Sequence, residues 1–82
     1  MENGKWVVYL LRCRDESLYC GITNDLPARL KAHSSGKGAK YTRGRGPVEL
    51  VYSEECADKS AALKRELQIK ALPRQKKLEL IK

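Results

Sequence analysis

The chain has 82 residues, of which 41% are hydrophobic and 33% charged, and it carries a formal net charge of +7. That length allows one domain with a small core, residues 1–82, and that composition excludes a disordered chain. The longest apolar run, Trp6 to Leu11, is too short to cross a bilayer, and the positive excess favours a polyanionic partner, nucleic acid ahead of an anionic membrane surface.

The N-terminal text, Met1 to Lys5, is polar and no cleavage-like segment follows it. Three cysteines, Cys13, Cys20 and Cys56, are odd in number and lack tight spacing, which fits reduced thiols rather than a disulfide frame. The expected compartment is the cytoplasm.

Trp6 to Arg12 is rich in β-branched and aromatic residues and apolar on both faces, so it reads as a central strand. Arg14 to Ser17 is a polar turn, and Leu18 to Ile22 a second strand, antiparallel to the first. Gly21 inside that strand signals a bulge or a close approach of another group. Asn24 or Asp25 caps a helix that admits Pro27 in its first turn. Leu26 and Leu30 point to the core, and Arg29 and His33 are neighbours on the helix surface.

Gly36 to Gly46 breaks the pattern. Four of its eleven residues are glycine and four are basic, so it reads as a loop. Val48 to Ser53 is a third strand, with Val48, Leu50 and Tyr52 alternating against Glu49, Val51 and Ser53. Asp58 caps a second helix running through Leu72, with Ala62, Leu63, Leu67 and Leu72 as its core stripe. Pro73 ends that helix and starts a short last one, in which Leu78 and Ile81 are the buried pair. The expected fold class is α+β, in the order β-β-α-β-α-α, a small three-stranded antiparallel sheet flanked by helices.

Tyr9, Tyr19 and Arg29 lie ten residues apart, and a hairpin followed by a helix brings all three to one face as a candidate active site. Val8-Tyr9-Leu10, Tyr19-Cys20-Gly21 and Arg29, with Glu66 in the second helix, resemble the GIY-YIG nuclease superfamily. The resemblance runs from Trp6 to Leu72. The text GKGAKYTRGRGPVELVY looks like its short stand-alone bacterial branch.

The resemblance implies hydrolysis of phosphodiester bonds with one divalent metal, Mg²⁺ or Mn²⁺, held by Glu66. A carboxylate with several waters suits Mg²⁺. The plain alternative for Glu66 is an ion pair with Lys70 one turn on. Arg29 would fork onto a phosphate oxygen. Tyr9 and Tyr19 are candidates for general base or for orienting the attacking water, and a phenol with its pKa near ~10 needs positive charge beside it for the first role. His33 would assist proton transfer or touch a phosphate. In the loop, Lys37, Lys40, Arg43 and Arg45 are expected on the nucleic-acid backbone and Tyr41 stacked on an unpaired base.

The expected function is therefore a metal-dependent DNA endonuclease of low sequence preference, in DNA repair or processing, with DNA a better substrate than RNA. The rival is a non-catalytic nucleic-acid-binding module that keeps the fold. It is motivated by Ile22, which stands where many members have lysine. A third reading is an adaptor that docks on a larger repair protein through the apolar side of its last helix. Oligomeric state is left open.

Overall fold

The computed structural model describes residues 5–34 and 48–81. Strand β1 (Trp6–Arg12) pairs with β2 (Leu18–Thr23) on one side and β3 (Glu49–Cys56) on the other, both antiparallel, in the order β2-β1-β3. The central position explains why β1 is apolar on both faces: neither face is left to water. Helix α1 (Leu26–Ser34) lies between β2 and β3, and α2 (Lys59–Ala71) and α3 (Arg74–Ile81) follow β3, giving the α+β order read from the sequence.

The β1–β2 turn closes with the Ser17 carbonyl accepting from Cys13 N and the Cys13 carbonyl from Glu16 N, both at 2.9 Å. Glu16 takes a left-handed φ of 70° there, and Arg74 Nη2 donates to its carbonyl at 2.8 Å, tying the start of α3 to the hairpin. Asp25 is the cap of α1: its carboxylate accepts from Ala28 N at 3.3 Å and its carbonyl from Arg29 N at 3.0 Å. Asp58 caps α2 in the same way, accepting from Ala61 N at 2.8 Å. Leu72 is extended because Pro73 follows it, and the helix ends there.

Alternation divides β1 between two surfaces. Val8 and Leu10 point one way and join Cys20 and Ile69 in the main core, with Ile22, Val51, Tyr52, Cys56, Leu80 and Ile81 packed around them. Tyr9 and Leu11 point the other way, and they too are buried. The hairpin register sets Tyr9 opposite Gly21 and Leu11 opposite Tyr19, so all four share that second face.

Three sequence expectations need correction. Strand β3 runs on to Cys56, because Ser53 to Cys56 continues to pair with β1; as an edge strand it carries Glu54 and Glu55 without penalty. Its alternation also fails, since the register passes from Tyr52 to Leu50 and skips Val51, so that Val51 and Tyr52 both reach the core. The helical stripes are rotated as well: Ala62 is buried and Ile81 packs on the core as expected, but Leu63, Leu67 and Leu78 are exposed, and Ile69 and Leu80 take their places.

Candidate active site

On the second face of the sheet the Tyr9 phenol lies across Gly21. A Cβ built at Gly21 would stand 2.8 Å from the Tyr9 hydroxyl oxygen and 3.0 Å from both Tyr9 Cζ and Tyr19 Cε2. The glycine is needed for this close approach of two rings, not for an unusual backbone angle. Tyr19 sits diagonally across from Tyr9, with ring centroids 6.3 Å apart and tilted by 51°.

Helix α1 brings His33 onto these rings. The His33 centroid is 5.3 Å from that of Tyr19 and 6.1 Å from that of Tyr9, and its Nε2 is 3.1 Å from the Tyr9 hydroxyl. The side chain is only 1% exposed, which corrects the expectation that it lies on the helix surface. The sequence held the signal: Leu26, Leu30 and His33 follow the i, i+4, i+7 spacing of one helix face, so the histidine continues the apolar stripe. An imidazole can fill such a place because a hydrogen bond meets its polar end.

Arg29, one turn before His33, lies close enough to the Tyr9 phenol for its positive charge to act on it. Burial raises the Tyr9 pKa above its ordinary value, and the neighbouring Arg29 guanidinium opposes that rise without cancelling it. Burial also lowers the His33 pKa, and the Arg29 charge lowers it further. At neutral pH the phenol is protonated and the imidazole neutral. With the imidazole proton on Nδ1, Tyr9 O–H donates to Nε2, which makes His33 an acceptor for that proton. The structure thus brings together Tyr9, Tyr19, Arg29 and His33.

Glu66 is not among them. Helix α2 packs against the opposite face through Ala62 and Ile69. On one flank of α2, Arg65 Nε donates to Glu54 of β3 at 3.0 Å; Glu66, about 100° further round the helix, faces the β2 edge instead. There its charge acts on Cys20, whose thiol is pushed up to about 11, first by burial and then by Glu66. The carboxylate is 15% exposed and its Oε2 is 3.3 Å from Lys70 Nζ.

Among the described residues no cluster of three His, Cys, Asp or Glu side chains could encage a metal ion. Cys20 and His33 are on opposite faces of the sheet, so they share no ligand set. The one carboxylate at the β2 edge suits a hard cation that keeps most of its waters, such as Mg²⁺ or Mn²⁺, and does not suit zinc. The donor chemistry fits the implied metal once Lys70 gives up the carboxylate.

Near the phenols, a cleft of about 430 Å³ is lined by Val7, Asn24, Asp25, Pro27, Ser53 and Glu55. Its two carboxylates make it a poor seat for phosphate. Lys37, Lys40, Tyr41, Arg43 and Arg45 lie outside the described residues. Among the described residues no helix is long and apolar enough to cross a membrane.

Residues 5–79 match the GIY-YIG catalytic domain. The chain is 60% identical over 74 residues to the UPF0213 protein OB0043 of Oceanobacillus iheyensis, covering 90% of this chain and 86% of that one. It is 51% identical over 77 residues to the UPF0213 protein SH2523 of Staphylococcus haemolyticus, covering 94% of each. Its fold is similar to the solution structure of the UPF0213 protein BH0048 from Bacillus halodurans, with a TM-score of 0.61 at 48% identity over 94% of this chain and 82% of that one. It is also similar to the solution structure of EF2693 from E. faecalis, with a TM-score of 0.64 at 41% identity over 94% and 83% of the two chains. The paired strands carrying Tyr9 and Tyr19, the helix that follows them and this extent of similarity make the chain a member of the GIY-YIG superfamily, alongside the short bacterial UPF0213 proteins.

Proposed function

We propose that this protein is an endonuclease that hydrolyses phosphodiester bonds in DNA, in preference to RNA, with little sequence preference, in DNA repair or processing. The observation that carries the reading is the Tyr9–His33 hydrogen bond with Arg29 beside it. A buried, protonated phenol is a poor base by itself. Joined to a neutral imidazole, it can take a proton from the attacking water at its oxygen while its own proton passes to His33 Nε2. Arg29 then meets the charge that grows on the non-bridging phosphate oxygens. Tyr19, against both rings, orients the water or the phosphate.

Glu66 would hold the divalent cation, and the cation when bound supplies a Lewis acid for phosphate charge. Lys37, Lys40, Arg43 and Arg45 are assigned to backbone contacts and Tyr41 to an unpaired base, which predicts binding that weakens steeply with salt. The test is incubation of purified protein with branched, nicked and single-stranded DNA, with and without Mg²⁺ or Mn²⁺. Metal-dependent cutting that Tyr9→Phe abolishes supports the reading; equal cutting by the two proteins overturns it.

The Lys70–Glu66 pair and Ile22, which packs against the core, favour a second reading. It is a nucleic-acid-binding module without cleavage, and it predicts tight, salt-sensitive binding of the same DNAs with no cut product.

A further inference from the structure

We infer that Lys70 is a tethered competitor for the cation at Glu66, so that metal binding is an exchange in which the Lys70 ammonium leaves as the ion arrives. The inference rests on Glu66 as the metal-binding carboxylate. Its starting point is an asymmetry within one ion pair: the Glu66 side chain is 15% exposed and that of Lys70 is 52% exposed. The acid is held against the sheet, on the stripe that includes Ala62 and Ile69. The base is on a long stem that reaches in from solvent and can swing out again.

A carboxylate so far removed from water needs a counter-charge. Helix spacing supplies one four residues on, with the acid N-terminal to the base, which is the favourable order. Lys70 Nζ at 3.3 Å from Oε2 does so here. An incoming dication meets the ammonium on the same carboxylate group. The two cannot both sit close to it, because their mutual repulsion at this separation exceeds the pair's own attraction. Exchange leaves Glu66 compensated in both states, and it costs one helical ion pair. Lys70 thereby sets a threshold cation concentration below which Glu66 stays closed.

Rupture of an i,i+4 pair alone corresponds to about a twofold change in affinity, and removal of the repulsion adds to it, so the expected effect is about three- to tenfold. The probe is Mn²⁺ alone, with free ion measured by electron paramagnetic resonance in titrations of the full chain. Lys70→Gln should tighten Mn²⁺ binding by that factor, and Lys70→Arg should restore the wild-type affinity. Lys64→Gln removes the same charge from an exposed position elsewhere on α2 and should leave the affinity unchanged. Glu66→Gln should remove the site.

Circular dichroism of each variant confirms that α2 is formed. If Glu66→Gln abolishes binding while Lys70→Gln behaves like Lys64→Gln, the exchange is overturned and Glu66 stands as ligand. If Glu66→Gln binds Mn²⁺ like the wild type, the metal-ligand reading fails and the exchange fails with it.

Discussion

The Tyr9 hydroxyl and His33 Nε2 are 3.1 Å apart, and each side chain is at most 1% exposed. Burial acts oppositely on the two groups, raising the phenol pKa and lowering that of the imidazole. Both effects favour the neutral forms, and neutral forms are what a proton relay from water to Tyr9 to His33 requires. The rate of cutting should therefore fall as pH drops through a midpoint below the ordinary histidine value of 6.5. His33→Ala should lose that limb and slow cutting by about 10²- to 10⁴-fold, the usual worth of general base catalysis. Rates measured from pH 5 to pH 8 on both proteins check this, and an unchanged acid limb in the variant would rule out the relay.

The same histidine predicts how stability depends on pH, with no reference to activity. Its folded-state pKa lies below its unfolded value of 6.5, so between the two the unfolded chain binds more protons. Stability contributed by neutral His33 is fully present above pH 6.5 and declines as pH falls from there toward the lowered folded value. Urea unfolding at intervals from pH 8 to pH 5 should show this loss. His33→Gln should be less stable at pH 8 and should have a flatter profile over that window.

Gly21→Ala should damage the site through geometry. The new methyl would stand 2.8 Å from the Tyr9 oxygen and 3.0 Å from carbons of both rings, too close for either ring to stay in place. Moving Tyr9 breaks its bond to His33. The expected cost is about 1–3 kcal/mol of stability, as for overpacking elsewhere, together with a large loss of cutting. Urea unfolding measures the first and the cleavage assay the second. A histidine titration followed by NMR should show the His33 pKa shifting in the variant.

Much of this arrangement could be read from the chain. Alternation in Trp6–Arg12 put Tyr9 with Leu11, alternation in Leu18–Ile22 put Tyr19 with Gly21, and the hairpin register joins the two pairs on one face; Asp58 was recognisable as a cap from its place before the second helix. The roll of α2 was not legible. Its apolar residues lie on two sides, Ala62 with Ile69 and Leu63 with Leu67, and the expected stripe drew on both, taking Ala62 together with Leu63, Leu67 and Leu72 and missing Ile69. What selects the first is tertiary: Arg65 bonds Glu54, which accepts from the Tyr52 hydroxyl at 2.7 Å, and this network fixes which side of α2 meets the sheet. The same roll sets Glu66 beside β2, where its charge reaches Cys20. Periodicity within a helix cannot encode a partner on another strand.

That roll can be tested by comparing Ile69 with Leu67. Ile69 is fully buried and touches the core formed by Val8, Leu10 and Cys20, whereas Leu67 is 68% exposed. Truncating a buried aliphatic side chain loses its transfer energy and leaves a cavity, so Ile69→Ala should cost about 2–5 kcal/mol. For a domain of this size that is a large part of the total stability. Leu67→Ala should fall within about 0.5 kcal/mol of wild type, as exposed substitutions do. Urea midpoints for both variants at one pH give the comparison. A Leu67→Ala cost equal to that of Ile69→Ala would mean that the other stripe faces the sheet, and Glu66 would then point elsewhere than the β2 edge.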